Sequence, residues 1–122
     1  MTARRRTDPA AGEAAVNRWR QGDTDRATLA VAVRHTLDLM VQRAPGNSLE
    51  LRVPPFAAVQ CVPGPRHTRG TPGSVVETDA GTWLALATGA LAWGDAVASG
   101  RVRASGERGD LSHWLPLGTV VP

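Results

Sequence analysis

No lysine and no tyrosine occur among the 122 residues, and cysteine and phenylalanine occur once each. The missing lysine excludes a phosphate-binding loop that closes on Lys-Ser or Lys-Thr, because the side chain that reaches the phosphates is absent. The lone Cys61 can form no internal disulfide and leaves no thiolate pair for a local zinc site, which fits a reducing compartment and a cytoplasmic location. Long apolar runs are missing too: nothing approaches the roughly 20 apolar residues of a membrane span, so no integral membrane contact is expected. Arg4, Arg5 and Arg6 run into Thr7 and Asp8 and not into an apolar stretch, so no signal peptide is read there.

A basic stripe is also lacking. All fourteen basic residues are arginine, and with eleven Asp and Glu the formal net charge is +3. The acids are interspersed among the arginines, so nucleic acid is not an expected partner. Arginine without lysine, beside many Ala, Gly and Pro, points to GC-rich coding before it points to a function. What is present is an ordinary globular composition, 42% apolar and 20% charged. A chain of this length buries about two-thirds of its unfolded surface, so residues 1–122 read as one domain with one core.

Residues 1–7 read as a disordered tail and residues 8–45 as a helical region. Asp8-Pro9 is a capping residue followed by the residue best suited to a first helical position, and Gly22 is a natural stop. That helix has a thin apolar face of Ala11, Ala15, Val16 and Trp19, as of a strap laid against the body. A longer helix from Asp23 or Thr24 to Arg43 repeats Leu29, Val33, Leu37, Met40 and Ala44 at steps of four and three, with Arg34 and Asp38 on its outer face. Pro45-Gly46 ends it. From 47 to 117 the pattern becomes strands and short helices. Leu49, Leu51 and Val53 alternate with Glu50 and Arg52, a half-buried strand that Pro54-Pro55 turns sharply into the next. Residues 56–62 are nearly all apolar and read as a central strand covered on both faces, and residues 74–77 as a third strand.

The best-punctuated stretch is Asp79 to Leu117. Asp79 caps a helix running to Leu91 with Trp83, Ala87, Ala90 and Leu91 on one face, and Asp95 opens a short helical turn closed by Gly100. Arg101 to Ser105 alternates as a strand with Val102 and Ala104 on one side, and Asp110 caps a closing helix of Leu111, Trp114 and Leu115 that Pro116 helps to end. This order of helix, short turn, strand and terminal helix over residues 49–117 resembles the sterol carrier protein type-two superfamily, in particular its short bacterial branch found in actinobacteria. The pattern of the whole chain reads as α/β (α+β): two N-terminal helices, then a mixed sheet of four to five strands with helices packed on one face. The resemblance implies a small α/β lipid carrier, from which the two leading helices are a departure. It also implies a hydrophobic cavity between sheet and helices, no catalytic residues, no cofactor and no metal.

On that reading Phe56, Val59, Trp83, Leu86 and Leu91 line the cavity together with Trp93, Val97, Leu111, Trp114 and Leu115. The same side chains serve equally as plain core, since large flat rings do both. The expected ligand is a fatty acid, acyl thioester or similar hydrophobic small molecule. Its acidic head falls to the segment 63–73, three Pro and three Gly in eleven residues, where Arg66, His67 and Arg69 stand among glycines and offer charge-assisted hydrogen bonds. The plain alternative is a surface loop whose arginines pair with Glu77 or Asp79. Cys61 with His67 allows a thiolate and imidazole pair, but a cysteine inside an apolar strand reads first as a small buried hydrophobe. His35, His67 and His113 share no metal-ligand spacing, and Asp79, Asp95 and Asp110 each precede a helical turn as caps. The sequence therefore reads as a binder and not an enzyme, with a structural or regulatory interaction module as the competing reading.

Overall fold

The computed structural model describes residues 6–64 and 73–118. Its order is α1 (Pro9–Arg20), α2 (Arg26–Arg43), β1 (Leu49–Val53), β2 (Ala57–Cys61), β3 (Ser74–Thr78), α3 (Ala80–Thr88), α4 (Trp93–Ala98) and β4 (Val102–Ser105). The fold is thus α+β, with two N-terminal helices ahead of a four-stranded mixed sheet.

Local chemistry sets the helix starts. Asp8 Oδ2 accepts the Ala11 N–H at 3.1 Å with Pro9 in the first turn. Before α2 the Asp23 carboxylate takes the Asp25 N–H and the Thr28 hydroxyl, both at 2.9 Å. The stripe of α2 is buried as its spacing predicts: Val33, Leu37, Met40 and Ala44 are fully enclosed, and Leu29 is half-buried at the open end. Asp38, expected on the outer face, is only 5% exposed. The chain entering α1 crosses that flank, and Asp38 Oδ2 accepts the Thr7 N–H at 2.9 Å. In α1 itself Ala15 and Val16 are buried and Trp19 is half-buried, whereas Ala11 faces solvent.

The sheet order is β2-β1-β3-β4. β1 and β2 form the expected tight antiparallel hairpin, Leu49 opposite Cys61 and Val53 opposite Ala57. β3 runs parallel to β1, and β4 antiparallel to β3. β2 is therefore an edge strand and not the central one. Its apolar look comes partly from Ala58, small enough to face water, and Phe56 lies in the turn outside the strand. Leu49, Leu51, Val53, Val59, Cys61 and Val76 point into one core with α2 and α3. The other face carries Glu50, Arg52, Gln60 and Glu77, and Arg52 bridges Glu50 at 2.7 Å and Glu77 at 3.7 Å.

Three boundaries differ from expectation. α3 stops at Thr88, because Gly89 turns left-handed at φ 86° and the Leu91 N–H reaches back to Ala85 O at 3.1 Å. α4 begins at Trp93 after Ala92, so Asp95 sits in its first turn and does not cap it. The closing helix is a single turn. Asp110 Oδ1 does accept the Ser112 N–H at 2.8 Å, but the chain then extends so that the Leu117 N–H meets Ala87 O at 2.9 Å. In β4 only Val102 is buried, and Ala104 is exposed at the sheet's other edge.

Candidate functional site

Trp83, Leu86 and Leu111 lie at the centre of the core with at most 1% of their surface exposed. Trp83 is tied in place: its indole N–H donates to Thr36 Oγ1 at 2.8 Å, while that hydroxyl donates to Ala32 O at 2.8 Å. Val59 joins the same cluster, and Phe56, Leu91, Trp93, Trp114 and Leu115 pack on its margin half-buried. Val97 does not join it; it is 45% exposed on the outer side of α4, where Ala96 is the residue turned inward. Residues 111–117 close the apolar layer on one side. They are joined to the body by Leu117 N–H to Ala87 O and by Arg43 Nε to Trp114 O at 2.7 Å.

Arg66, His67 and Arg69 lie outside the described residues, which include both ends of their segment. At one end Val62 takes a left-handed φ of 72°, a conformation that costs a β-branched residue on the order of 1 to 3 kcal/mol. It is held there by its N–H to Ala44 O at 2.6 Å and by its carbonyl, which accepts the Ser48 hydroxyl at 2.7 Å. Gly46 makes room: a Cβ there would overlap the Val62 carbonyl. At the other end Ser74 Oγ accepts the Arg108 N–H at 2.9 Å, and the Arg108 guanidinium lies against Gly64. One arginine thus spans both ends of the segment. Sequence reasoning missed it, because only the β3 to β4 pairing places the 106–109 turn beside residue 74.

Next to Gly73 and Ser74 a depression of about 270 Å³ opens on the polar sheet face, bordered by Ser48, Glu50, Arg52 and Gln60. Arg52 is committed there: its hydrogen bond to Glu50, then that carboxylate's charge and Glu77, hold its pKa above the ordinary value. Glu77 pairs with Arg52. Asp79 is spent as the cap of α3, accepting the Thr82 N–H at 3.1 Å and hydroxyl at 2.7 Å. Burial alone would raise the Asp79 pKa, but these hydrogen bonds outweigh it and the net shift is downward. Cys61 is fully buried and desolvation pushes its thiol up to about 12, so no thiolate forms there at neutral pH. Among the described residues no three His, Cys, Asp or Glu side chains gather as a metal-binding group, and no helix is long and apolar enough to cross a membrane.

Compared with known protein families, residues 25–117 match the one described as bacterial SCP ortholog. The chain belongs to this sterol carrier protein-like family. The matched span takes in α2 and every later element, reaching further upstream than the resemblance read from residues 49–117. Only α1 falls outside it. A search of curated proteins returned no match. In this bacterial SCP ortholog the apolar layer lies between the sheet and helices α2 and α3, and helix α1 precedes the matched span.

Proposed function

We propose that the protein binds and carries a lipid or acyl-type small molecule without catalysing a reaction. The tail lies in the apolar layer between the sheet and helices α2 and α3, and the acidic head lies at the 63–73 segment. The observation that carries this reading is the family match over residues 25–117, joined to a sheet whose inner face sets Leu49, Leu51, Val53, Val59, Cys61 and Val76 into the core. Arg108, which lies at both ends of that segment, joins Arg66, His67 and Arg69 as a head-group contact. The segment 111–117, anchored by buried Leu111 and Leu117 and by the hydrogen bonds to Ala87 and from Arg43, is the part whose displacement admits the tail. A fatty acid or acyl thioester fits this combination of apolar layer and arginines.

The test is a displacement titration with a fluorescent fatty acid, supported by native mass spectrometry of whatever molecule accompanies the purified protein. Saturable binding is expected. Arg66→Ala and Arg69→Ala weaken an acyl carboxylate by at most about 1.5 to 3 kcal/mol each, the range of a charge-assisted hydrogen bond, and leave a neutral ligand nearly unaffected. Leu115→Trp crowds the apolar end and weakens both ligands alike. Absence of saturable binding by the wild type discards the carrier. It favours instead an interaction module with a filled interior, a reading supported by the complete burial and hydrogen bonding of Trp83.

A further inference from the structure

Segment 111–117 is anchored at its two ends and tied once between them. Leu111 and Leu117 have at most 1% of their surface exposed, and the Leu117 N–H meets Ala87 O at 2.9 Å. Between these anchors Ser112, His113 and Pro116 are exposed, and Trp114 and Leu115 are half-buried. The hydrogen bonds within the arc are local, from the Trp114 and Leu115 N–H groups to Leu111 O and from the Ser112 N–H to Asp110 Oδ1. Among the described residues, the one hydrogen bond that reaches 112–116 from the body is that of Arg43 Nε to Trp114 O, 2.7 Å long and joining residues 71 apart in the chain. Arg43 is exposed and is the last residue of α2. The next residue, Ala44, accepts the Val62 N–H at 2.6 Å, and Gly46 lies against the Val62 carbonyl. The end of α2 is thus joined both to the arc that closes the apolar layer and to the start of the 63–73 segment.

We propose that Arg43 is a specificity-determining residue for the head group: it exchanges the Trp114 carbonyl for an anionic head, and by that exchange frees the 112–116 arc to admit the tail. The inference rests on the carrier reading given above. Its direction follows from the strengths of the two bonds. At an exposed position the bond from Arg43 to a neutral carbonyl is worth little against water. A carboxylate or phosphate takes two parallel N–H groups of the same fork and bonds about twice as strongly. An anion therefore displaces the carbonyl, whereas a neutral head offsets nothing of the bond it breaks. Arg43 also stands at the C-terminal end of α2, where unpaired helix carbonyls carry partial negative charge. With the guanidinium removed, that end disfavours an anion, so the head preference depends on residue 43 in two ways. Opening leaves the anchors in place: Leu111 and Leu117 stay buried while the half-buried Trp114 and Leu115 swing outward.

The experiment is a calorimetric titration of the full chain with decanoate and with decanol, which share a carbon number and differ in head charge. The wild type should prefer decanoate by about tenfold or more, the step expected of a charge-assisted hydrogen bond. Arg43→Gln should lose about tenfold of that preference. Decanol should bind this variant about two- to tenfold more tightly, because the arc then opens with no bond to break. A merely structural tie shifts both ligands by the same factor, and an equal shift would overturn the proposal. Spectra of the ¹⁵N-labelled wild type add a readout that needs no variant. The Arg43 Nε–H resonance should persist at a new position with decanoate and exchange rapidly with water with decanol; a resonance that saturating decanoate leaves in place also overturns the proposal. If neither ligand binds the wild type saturably, the carrier reading fails and this inference with it. If both bind and the preference survives Arg43→Gln, this inference alone fails.

Discussion

At the scale of single residues, the bond between Trp83 and Thr36 ties the two main helices of the core. Its worth follows from burial: the indole N–H donates to Thr36 Oγ1 at 2.8 Å, and both residues are fully buried, out of reach of water. Thr36→Val keeps the shape and removes the acceptor, leaving a buried donor unmet, and should cost about 1 to 3 kcal/mol in urea unfolding. Thr36→Ser keeps the hydroxyl and should cost about 1 kcal/mol, the loss of one buried methyl. Adding Trp83→Phe to Thr36→Val should cost less than the sum of the two single changes, because the donor is then gone. Additive costs would mean that the bond contributes nothing. The sequence marked both residues only by type. Trp83 was readable as apolar filling, but position 36 lies beside the apolar stripe of α2, and nothing local shows that its hydroxyl meets a ring 47 residues away.

At the scale of elements, what could be read were the signals that act within a few residues. Asp8-Pro9, the four-and-three stripe of α2, the 49–53 alternation and the Pro54-Pro55 turn each determine a conformation locally, and each corresponds to an observed element. The misreadings arose where neighbours decide. Whether β2 is central or at an edge depends on which strand reaches its far side, and two alanines leave the apolar pattern ambiguous. The closing helix stops after one turn because Leu117 is drawn to Ala87, a pairing across the fold. The site divides the same way: the apolar layer was visible as periodic Trp and Leu, whereas Arg108 came to the 63–73 segment only through strand pairing. Capping offers a quantitative check. The Asp79 pKa lies below its ordinary 3.8 when folded. The stabilisation from its carboxylate is therefore complete above the unfolded value and is lost as pH falls through the folded one. Asp79→Ala should cost about 1 kcal/mol at pH 7, and its difference from wild type should close as pH drops below about 4. A difference that stays constant down to acid pH would show that the carboxylate's charge plays no part in the cap.

At the scale of the whole molecule, the question is whether α1 belongs to the core or is fastened onto it. The family span begins at residue 25, after α1. The sheet, α2 and α3 enclose Leu37, Leu51, Trp83 and Leu84 completely, and these sit in elements that do not include α1. What α1 adds is the burial of Ala15 and Val16, half of Trp19 and the cover over His35. Burying one valine and part of one tryptophan contributes about 2 to 4 kcal/mol before the entropy of ordering a helix is subtracted. A chain starting at Asp23 should therefore fold, keep the near-ultraviolet dichroism of its enclosed Trp83, and unfold in urea at a stability lower by no more than that amount. If the shortened chain instead binds a dye for exposed apolar surface and gives no cooperative transition, α1 is part of the core and not fastened onto it.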